Sequence, residues 1–139
     1  MICWTSIWKG RRKMDKFEVR AEIAVNLTVE DIDDIMVGAL EGGINHWCCE
    51  AEVEEECRVA DWGHEQIARG GKLILHDTDG EDKWELTLEK FLKGFKLWLE
   101  NGGDKYGAVG GSEVDCSNID AGCADEIIQY AVFGEVVFG

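Results

Sequence analysis

Apolar and polar residues alternate in two stretches of the chain, and this period of two predicts β-strands with one buried face. The clearer alternation covers residues 17–27, where the apolar positions are Phe17, Val19, Ala21, Ile23, Val25 and Leu27. Residues 44–53 alternate less regularly, with Trp47, Cys49, Ala51 and Val53 on one side. Both stretches are therefore predicted to form strands.

Two short apolar runs at 72–76 and 83–86 flank an acidic turn and predict a β-hairpin. The Asp-Gly pair at 79–80 favours a type I′ turn, since both central residues of such a turn need positive φ. Centring the turn on this pair sets the register. It places large apolar residues opposite one another: Leu75 with Trp84, and Leu73 with Leu86. These four side chains are therefore expected on one face.

Three stretches carry apolar residues at helical spacing and predict amphipathic helices. The first follows a capping-box-like pair, Thr28 and Asp31, and ends at the glycines 42–43. The second follows Thr87, and the third follows the cap signal over 117–120 and ends at Gly134. The stripes are Ile32, Ile35, Met36, Ala39 and Leu40; Leu88, Phe91, Leu92, Phe95 and Leu99; and Ala124, Ile127, Ile128 and Ala131.

The remaining patterns complete the fold prediction. They add a short helix over 64–69, a glycine-rich loop over 104–112 with an edge strand as the alternative, and a closing strand over 136–138. The order β-α-β-(α)-β-β-α-loop-α predicts a single α+β domain over 14–139, with a mostly antiparallel sheet and helices packed on one face. Residues 1–13 are basic without periodicity, and they are predicted to be a disordered arm, or an extension upstream of a true start at Met14.

Charge changes the picture by restricting the partners. The formal net charge is −15, and residues 27–139 hold 26 Asp and Glu against eight Lys and Arg. This field repels phosphate backbones and favours basic partners, so direct nucleic-acid binding is not expected. The alternative interpretation is that the charge only keeps an acidic domain soluble. No apolar run approaches the about 20 residues of a membrane span, and the N-terminal order of apolar then basic residues argues against a secretory signal. We therefore expect a cytoplasmic protein with no membrane contact.

The six cysteines do not have the spacing of a metal centre or a disulfide framework. No C-x-x-C pair occurs, and free, buried thiols are expected in a cytosolic protein. A zinc site formed by His46, Cys48, Cys57 and His64 is the alternative. The acidic turn at 77–82 lacks the glycine and glutamate positions of an EF-hand loop. No metal and no cofactor are therefore predicted.

Candidate binding residues cluster around the arginines of the acidic region. Arg58 and Arg69 are the only arginines after residue 26. An arginine near aromatic side chains can pair with a nucleotide-like anion and stack on its base. The predicted ligand-binding set is Arg69, Trp62, His64, Arg58 and Trp47. The alternative is that each arginine pairs with one of the many carboxylates.

A second candidate surface lies on the second predicted helix. Leu97 points away from the apolar stripe and Trp98 lies at its edge, so both are predicted to contribute to a protein interface. No motif of nucleophilic, metal-dependent or phosphate-binding catalysis occurs with suitable context. No catalytic residue is therefore predicted, and the rival interpretation is a small enzyme that uses Cys48, Cys57 or His64.

Five motifs resemble a group of small uncharacterised proteins encoded by gut bacteria and their phages or mobile elements. They are ALEGG at 39–43, NHWC at 45–48, EQIARGG at 65–71, LTLEKFL at 86–92 and IQYAVFG at 128–134. The resemblance covers residues 27–139 and implies a mobile-element setting, without implying catalytic residues.

These observations lead to one main functional hypothesis and two alternatives. We expect a non-enzymatic binding protein of phage or mobile-element type that interferes with host defence in the bacterial cytoplasm. Either its acidic surface blocks a basic, nucleic-acid-binding defence protein, or a homodimer sequesters a nucleotide signal near Arg69. The alternatives are the Cys/His-dependent enzyme and a structural or regulatory interaction protein.

Overall fold

The computed structural model describes residues 16–103 and 107–139, so the arm predicted at 1–13 lies outside it. Its three α-helices are α1 (Val29–Gly38), α2 (Leu88–Glu100) and α3 (Ala121–Phe133). The main sheet has the strands β1 (Cys48–Val53), β2 (Lys72–Asp77) and β3 (Lys83–Thr87), and a small sheet pairs β4 (Val109–Gly110) with β5 (Glu113–Val114). The predicted α+β class is confirmed.

The main sheet has the order β1-β2-β3, and both pairs of neighbours are antiparallel. The hairpin register is confirmed, because Leu73 pairs with Leu86 and Leu75 pairs with Trp84. The opposite face is polar: Lys72 Nζ lies 3.3 Å from carboxylate oxygens of both Glu54 and Glu85. Cross-strand pairs of opposite charge suit a face that contacts water. The sheet therefore buries one face only.

The hairpin turn differs from the predicted type I′ turn. Gly80 does not have a positive φ. Instead, the backbone nitrogen of Asp77 donates to the carbonyl of Asp82 at 3.0 Å, and a carboxylate oxygen of Asp77 accepts from the nitrogen of Asp79 at 3.2 Å. This side-chain turn closes a longer loop, so left-handed residues are not needed. The register survives because the loop is still centred on the Asp-Gly pair.

Most of the helix termini follow the sequence signals. Thr28 and Asp31 form a reciprocal capping box with both bonds at 3.0 Å, and Thr87 caps α2. The cap of α3 differs from the prediction: Ser117 lies in the separate turn Cys116–Asn118, and the cap is Asp120, which accepts from the nitrogen of Cys123 at 2.8 Å. Gly134 then ends α3 in the left-handed conformation, with φ 78°. These bonds satisfy backbone groups that a helix terminus leaves unpaired.

The strand predicted at 17–27 does not form, which corrects the first element of the predicted order. Residues 16–25 have no regular secondary structure, and only Asn26 forms an isolated parallel bridge, with Glu113. Val19 and Ile23 are exposed. Alternation stabilises a strand only where a neighbouring strand offers its edge. Here the segment runs beside α2, whose side chains offer no backbone partners.

β1 begins later than predicted, and its alternation is interrupted. The register shifts by one residue between Cys48 and Glu50, which indicates a β-bulge. Because a one-residue shift moves a side chain to the other face, Cys49 is exposed whereas Trp47 and Cys48 are buried. The prediction that Cys49 shares the buried face of Trp47 is therefore wrong.

The closing strand predicted at 136–138 is replaced by a segment bound to a side chain. Gln129 of α3 is fully buried, and its Oε1 accepts from the nitrogens of Val137 and Phe138, both at 2.8 Å. Its Nε2 donates to the carbonyl of Phe138 at 2.9 Å. The amide thus satisfies backbone groups that a neighbouring strand would otherwise pair.

Candidate functional site

Arg69, the main candidate for ligand binding, is fully engaged by the protein itself. Its Nη1 and Nη2 lie 3.0 and 3.1 Å from the two carboxylate oxygens of Asp33 on α1, and Nη1 also donates to the carbonyl of Glu65 at 2.9 Å. The hydrogen bond to Asp33 raises the pKa of Arg69. Such a two-pronged pair uses the geometry that would otherwise hold a phosphate.

Arg58 is engaged in the same way. Its Nε and Nη2 each lie 2.9 Å from a carboxylate oxygen of Glu55, and the hydrogen bond to Arg58 lowers the pKa of Glu55. Its Nη1 donates to the carbonyls of Ala60 at 3.2 Å and Asp61 at 2.9 Å. Both arginines therefore pair with carboxylates, as the alternative interpretation of the sequence expected.

Trp47 belongs to the core rather than to a binding site. It is 2% exposed, and its Nε1 donates to Asp125 at 2.7 Å. Its ring lies parallel to that of Phe138, with centroids 5.5 Å apart. Placing Trp47 in a ligand site is thus wrong, because the indole is enclosed. His64 is half-buried in the 3-10 turn Gly63–Glu65.

Trp62 is the one member of the predicted ligand set whose large aromatic ring faces solvent. Its exposure is 66%, in a loop over residues 58–66 that is organised around the buried side chain of Gln66. Gln66 Oε1 accepts from the nitrogen of Val59 at 3.0 Å, and Nε2 donates to the carbonyls of Ala60 at 2.7 Å and Trp62 at 2.9 Å. The sequence did not indicate Gln66, because a glutamine beside Glu65 in a short predicted helix gives no sign that its side chain is buried.

The predicted interface on α2 is only partly accessible. Trp98 is 1% exposed, and within the described residues its Nε1 is buried without a hydrogen-bond partner. A β carbon on Gly103 would collide with the indole of Trp98, so the backbone packs directly on the ring. The expected position of Trp98 at an exposed edge is therefore wrong. Leu97 is half-buried, and its role in an interface stays a prediction.

Two of the thiols, Cys48 and Cys116, are poorly suited to nucleophilic chemistry. Burial raises the pKa of Cys48, whose Sγ donates to the carbonyl of Glu50 at 3.3 Å. Burial and the carboxylate of Asp31 raise the pKa of Cys116 to about 12. A thiol that stays protonated at neutral pH is a weak nucleophile and a poor metal ligand. In residues 16–103 and 107–139, no group of three His, Cys, Asp or Glu can hold a metal ion.

A buried polar network lies beneath the C-terminal segment. Asp125 is 8% exposed, and one of its carboxylate oxygens accepts from Trp47 Nε1 and from Gln129 Nε2 at 3.0 Å. Its other oxygen lies 3.6 Å from Nε2 of His46, which is half-exposed. A buried carboxylate needs such donors, so we interpret the network as structural.

The charge of the folded chain is concentrated in one stretch. Residues 29–66, from α1 to the loop of Trp62, hold 12 Asp and Glu and a single Lys or Arg. Within the described residues, Asp31, Asp34 and Asp115 take part in no ion pair, and all three act on the pKa of the nearby Cys116. The turn Cys116–Asn118 therefore brings Asp115 near the carboxylates of α1. The term acidic surface is used below for the exposed carboxylates of residues 29–66 together with Glu113 and Asp115.

A shallow groove lies elsewhere on the protein. It has a volume of about 710 Å³ and runs between residues 21–27 and α2, where Val25, Phe95 and Leu99 form part of its wall. Lys96 and Glu100, an ion pair at 3.9 Å, lie at the same wall. The groove brings no two predicted site residues together.

Two further observations concern membrane-spanning helices and the similarity to known proteins. No helix among the described residues is long and apolar enough to cross a membrane. Comparison with protein-family models, with curated proteins and with solved structures found no match. The resemblance to proteins of gut bacteria and mobile elements stays a prediction.

Proposed function

We propose that the protein is a non-enzymatic binder of phage or mobile-element type, whose acidic surface occupies the nucleic-acid-binding site of a basic host-defence protein. The observation that supports this most is the excess of 12 Asp and Glu over one Lys or Arg in residues 29–66, of which Asp33 and Glu54 are paired with Arg69 and Lys72 from outside the stretch. A surface of one sign attracts a partner of the opposite sign and speeds their association.

The rival mode, sequestration of a nucleotide, has less support. It needs a free cation near an aromatic ring, but the guanidinium groups of Arg58 and Arg69 are bound to Glu55 and Asp33. A nucleotide would have to displace a carboxylate from each arginine, and it would approach through a negative field. A homodimer stays a proposal that the blocking mode does not require.

A pair of charge variants tests the proposal. The first, Glu30→Gln/Asp34→Asn/Glu41→Gln, removes exposed carboxylates from α1 and its C-terminal end. The matched control, Asp79→Asn/Glu81→Gln/Asp82→Asn, removes as many exposed carboxylates from the β2–β3 turn. Each variant is used to capture proteins from a lysate of the species that carries the gene. The affinity for each captured protein is then measured at several salt concentrations.

The proposal expects a captured basic protein that DNA or RNA displaces and that high salt releases. The α1 variant should bind it about tenfold more weakly or worse, whereas the turn variant should bind within about threefold of wild type. Equal losses for both variants would show that only total charge matters. A partner that nucleic acid does not displace would contradict occupation of a nucleic-acid site.

A further inference from the structure

The loop over residues 58–66 holds an exposed indole on a rigid backbone. The backbone nitrogen of Trp62 donates to the carboxylate of Glu65 at 3.2 Å, and its carbonyl accepts from Gln66 at 2.9 Å and from the nitrogen of Glu65 at 3.1 Å. Arg58 binds the carbonyls of Ala60 and Asp61 from the other side. Both backbone groups of Trp62 are therefore fixed, while 66% of the residue is exposed.

A fixed loop with an exposed tryptophan is suited to recognition. Binding loses less conformational entropy when the contact residue is already positioned, and tryptophan is the residue type most enriched among energetically dominant interface contacts. Loops held by a rigid scaffold are also where binding residues concentrate. An exposed indole on a mobile loop would carry no such argument.

The charges around Trp62 indicate the chemistry of its partner. Asp61 precedes it directly, and Glu56 lies in the turn Glu55–Cys57 just before the loop. Both are exposed, and neither forms an ion pair within the described part of the chain. The arginine of this segment, Arg58, is already paired with Glu55. An exposed aromatic ring with exposed carboxylates close to it in the chain has the same elements as an unpaired base next to phosphates.

We propose that Trp62 takes the place of an unpaired base in the cleft of a single-stranded nucleic-acid-binding protein. Sites for single strands combine a basic groove with aromatic platforms on which bases stack, and an indole can stack on the same platforms. Surfaces that read duplexes contact phosphates and polar groove edges and offer less to an indole. This inference rests on the proposed function and specifies the class of its partner.

The test uses the protein captured in the experiment above, with an oligothymidine and a duplex of equal length as competitors. The inference expects the single strand to displace the partner at lower concentration than the duplex. It also expects Trp62→Ala to weaken binding about tenfold or more. Trp62→Phe should retain most of the wild-type affinity, because phenylalanine keeps an aromatic face for stacking. Val59→Ala, at an exposed residue of the same loop, should stay within about twofold of wild type.

The outcomes separate the two proposals. If the α1 charge variant weakens binding but Trp62→Ala does not, the inference is wrong and the proposed function stands. Displacement by the duplex alone would also overturn the inference. If no captured protein is displaced by any nucleic acid, both proposals fail. Thermal unfolding of Trp62→Ala close to that of wild type confirms that the exposed ring, and not the fold, was removed.

Discussion

Replacing Gln129 with methionine should release the C-terminal segment and destabilise the whole domain. Gln129 makes four hydrogen bonds: two from backbone nitrogens of Val137 and Phe138, one to the carbonyl of Phe138 and one to Asp125. Methionine has a volume similar to that of glutamine, but its thioether donates no hydrogen bond and accepts only weakly. The perturbation therefore removes hydrogen bonds without leaving a large cavity.

The loss of unfolding free energy depends on the strength of these hydrogen bonds and on whether residues 136–138 can detach from the domain. A neutral hydrogen bond contributes about 1 kcal/mol net and one to a carboxylate about 2, which gives an upper value of about 5 kcal/mol. If residues 136–138 detach, water can form hydrogen bonds with their backbone groups. The expected loss of unfolding free energy is therefore smaller, about 3 kcal/mol. For a chain of this length that lowers Tm by about 12 °C.

Urea and thermal unfolding measure the loss, and a double-mutant cycle identifies its cause. Phe138→Ala removes the ring that stacks on Trp47, with centroids 5.5 Å apart. If Gln129 acts by holding this segment, Gln129→Met and Phe138→Ala remove the same docking, and their losses should not add. Additive losses, or a loss under about 1 kcal/mol for Gln129→Met, would refute this role for the glutamine.

Three further predictions concern packing, reactivity and pH. A β carbon on Gly94 would lie 2.5 Å from the nitrogen of Ala131, so Gly94→Ala should cost about 2 kcal/mol in urea unfolding, whereas Gly38→Ala should be neutral or stabilising. Because the pKa of Cys116 is raised from 9.0 to about 12, alkylation at pH 8 should be about a thousandfold slower than for an unperturbed thiol, as followed by mass spectrometry. The hydrogen bond from the backbone nitrogen of Cys123 lowers the pKa of Asp120. The stabilisation that this carboxylate gives the folded protein is therefore present above its pKa in the unfolded chain and is lost as pH falls through its pKa in the folded protein. Asp120→Asn should reduce this loss when the free energy of unfolding is measured over an acid titration.

The predictions that were confirmed depended on local signals. The hairpin register followed from an Asp-Gly centre and two apolar runs, and the helix boundaries followed from caps such as Thr28 and Gly134. Those signals act through neighbours in sequence, so a single chain is enough to read them. The pairing of both arginines with carboxylates was among the alternatives, but the partner of Arg69, on α1, was not identifiable.

The predictions that failed depended on distant partners. Residues 17–27 alternate like a strand, but among the described residues only Asn26 bridges to a strand, at Glu113 of β5. Residues 136–138 are bound by Gln129 and form no strand. Trp62 and Trp98 look equally apolar in the sequence, yet one is 66% and the other 1% exposed. The sequence indicated Trp62 and Trp47 together as binding candidates, and only the tertiary structure shows that the first ring is exposed and the second is buried.

The acidic surface includes Glu41, a residue whose position is unfavourable for stability. Glu41 is exposed in the π-helical turn Ala39–Gly43 that continues α1, where the helix dipole disfavours negative charge, whereas Glu30 lies in the favourable first turn. Glu41→Lys should therefore stabilise the protein by about 0.5 to 1 kcal/mol, and Glu30→Lys should destabilise it by a similar amount. Both should weaken capture of a basic partner, because both add positive charge to the same surface. If the charge only maintains solubility, the stabilised Glu41→Lys variant would bind every partner as wild type does, and the acidic surface would lose its proposed role.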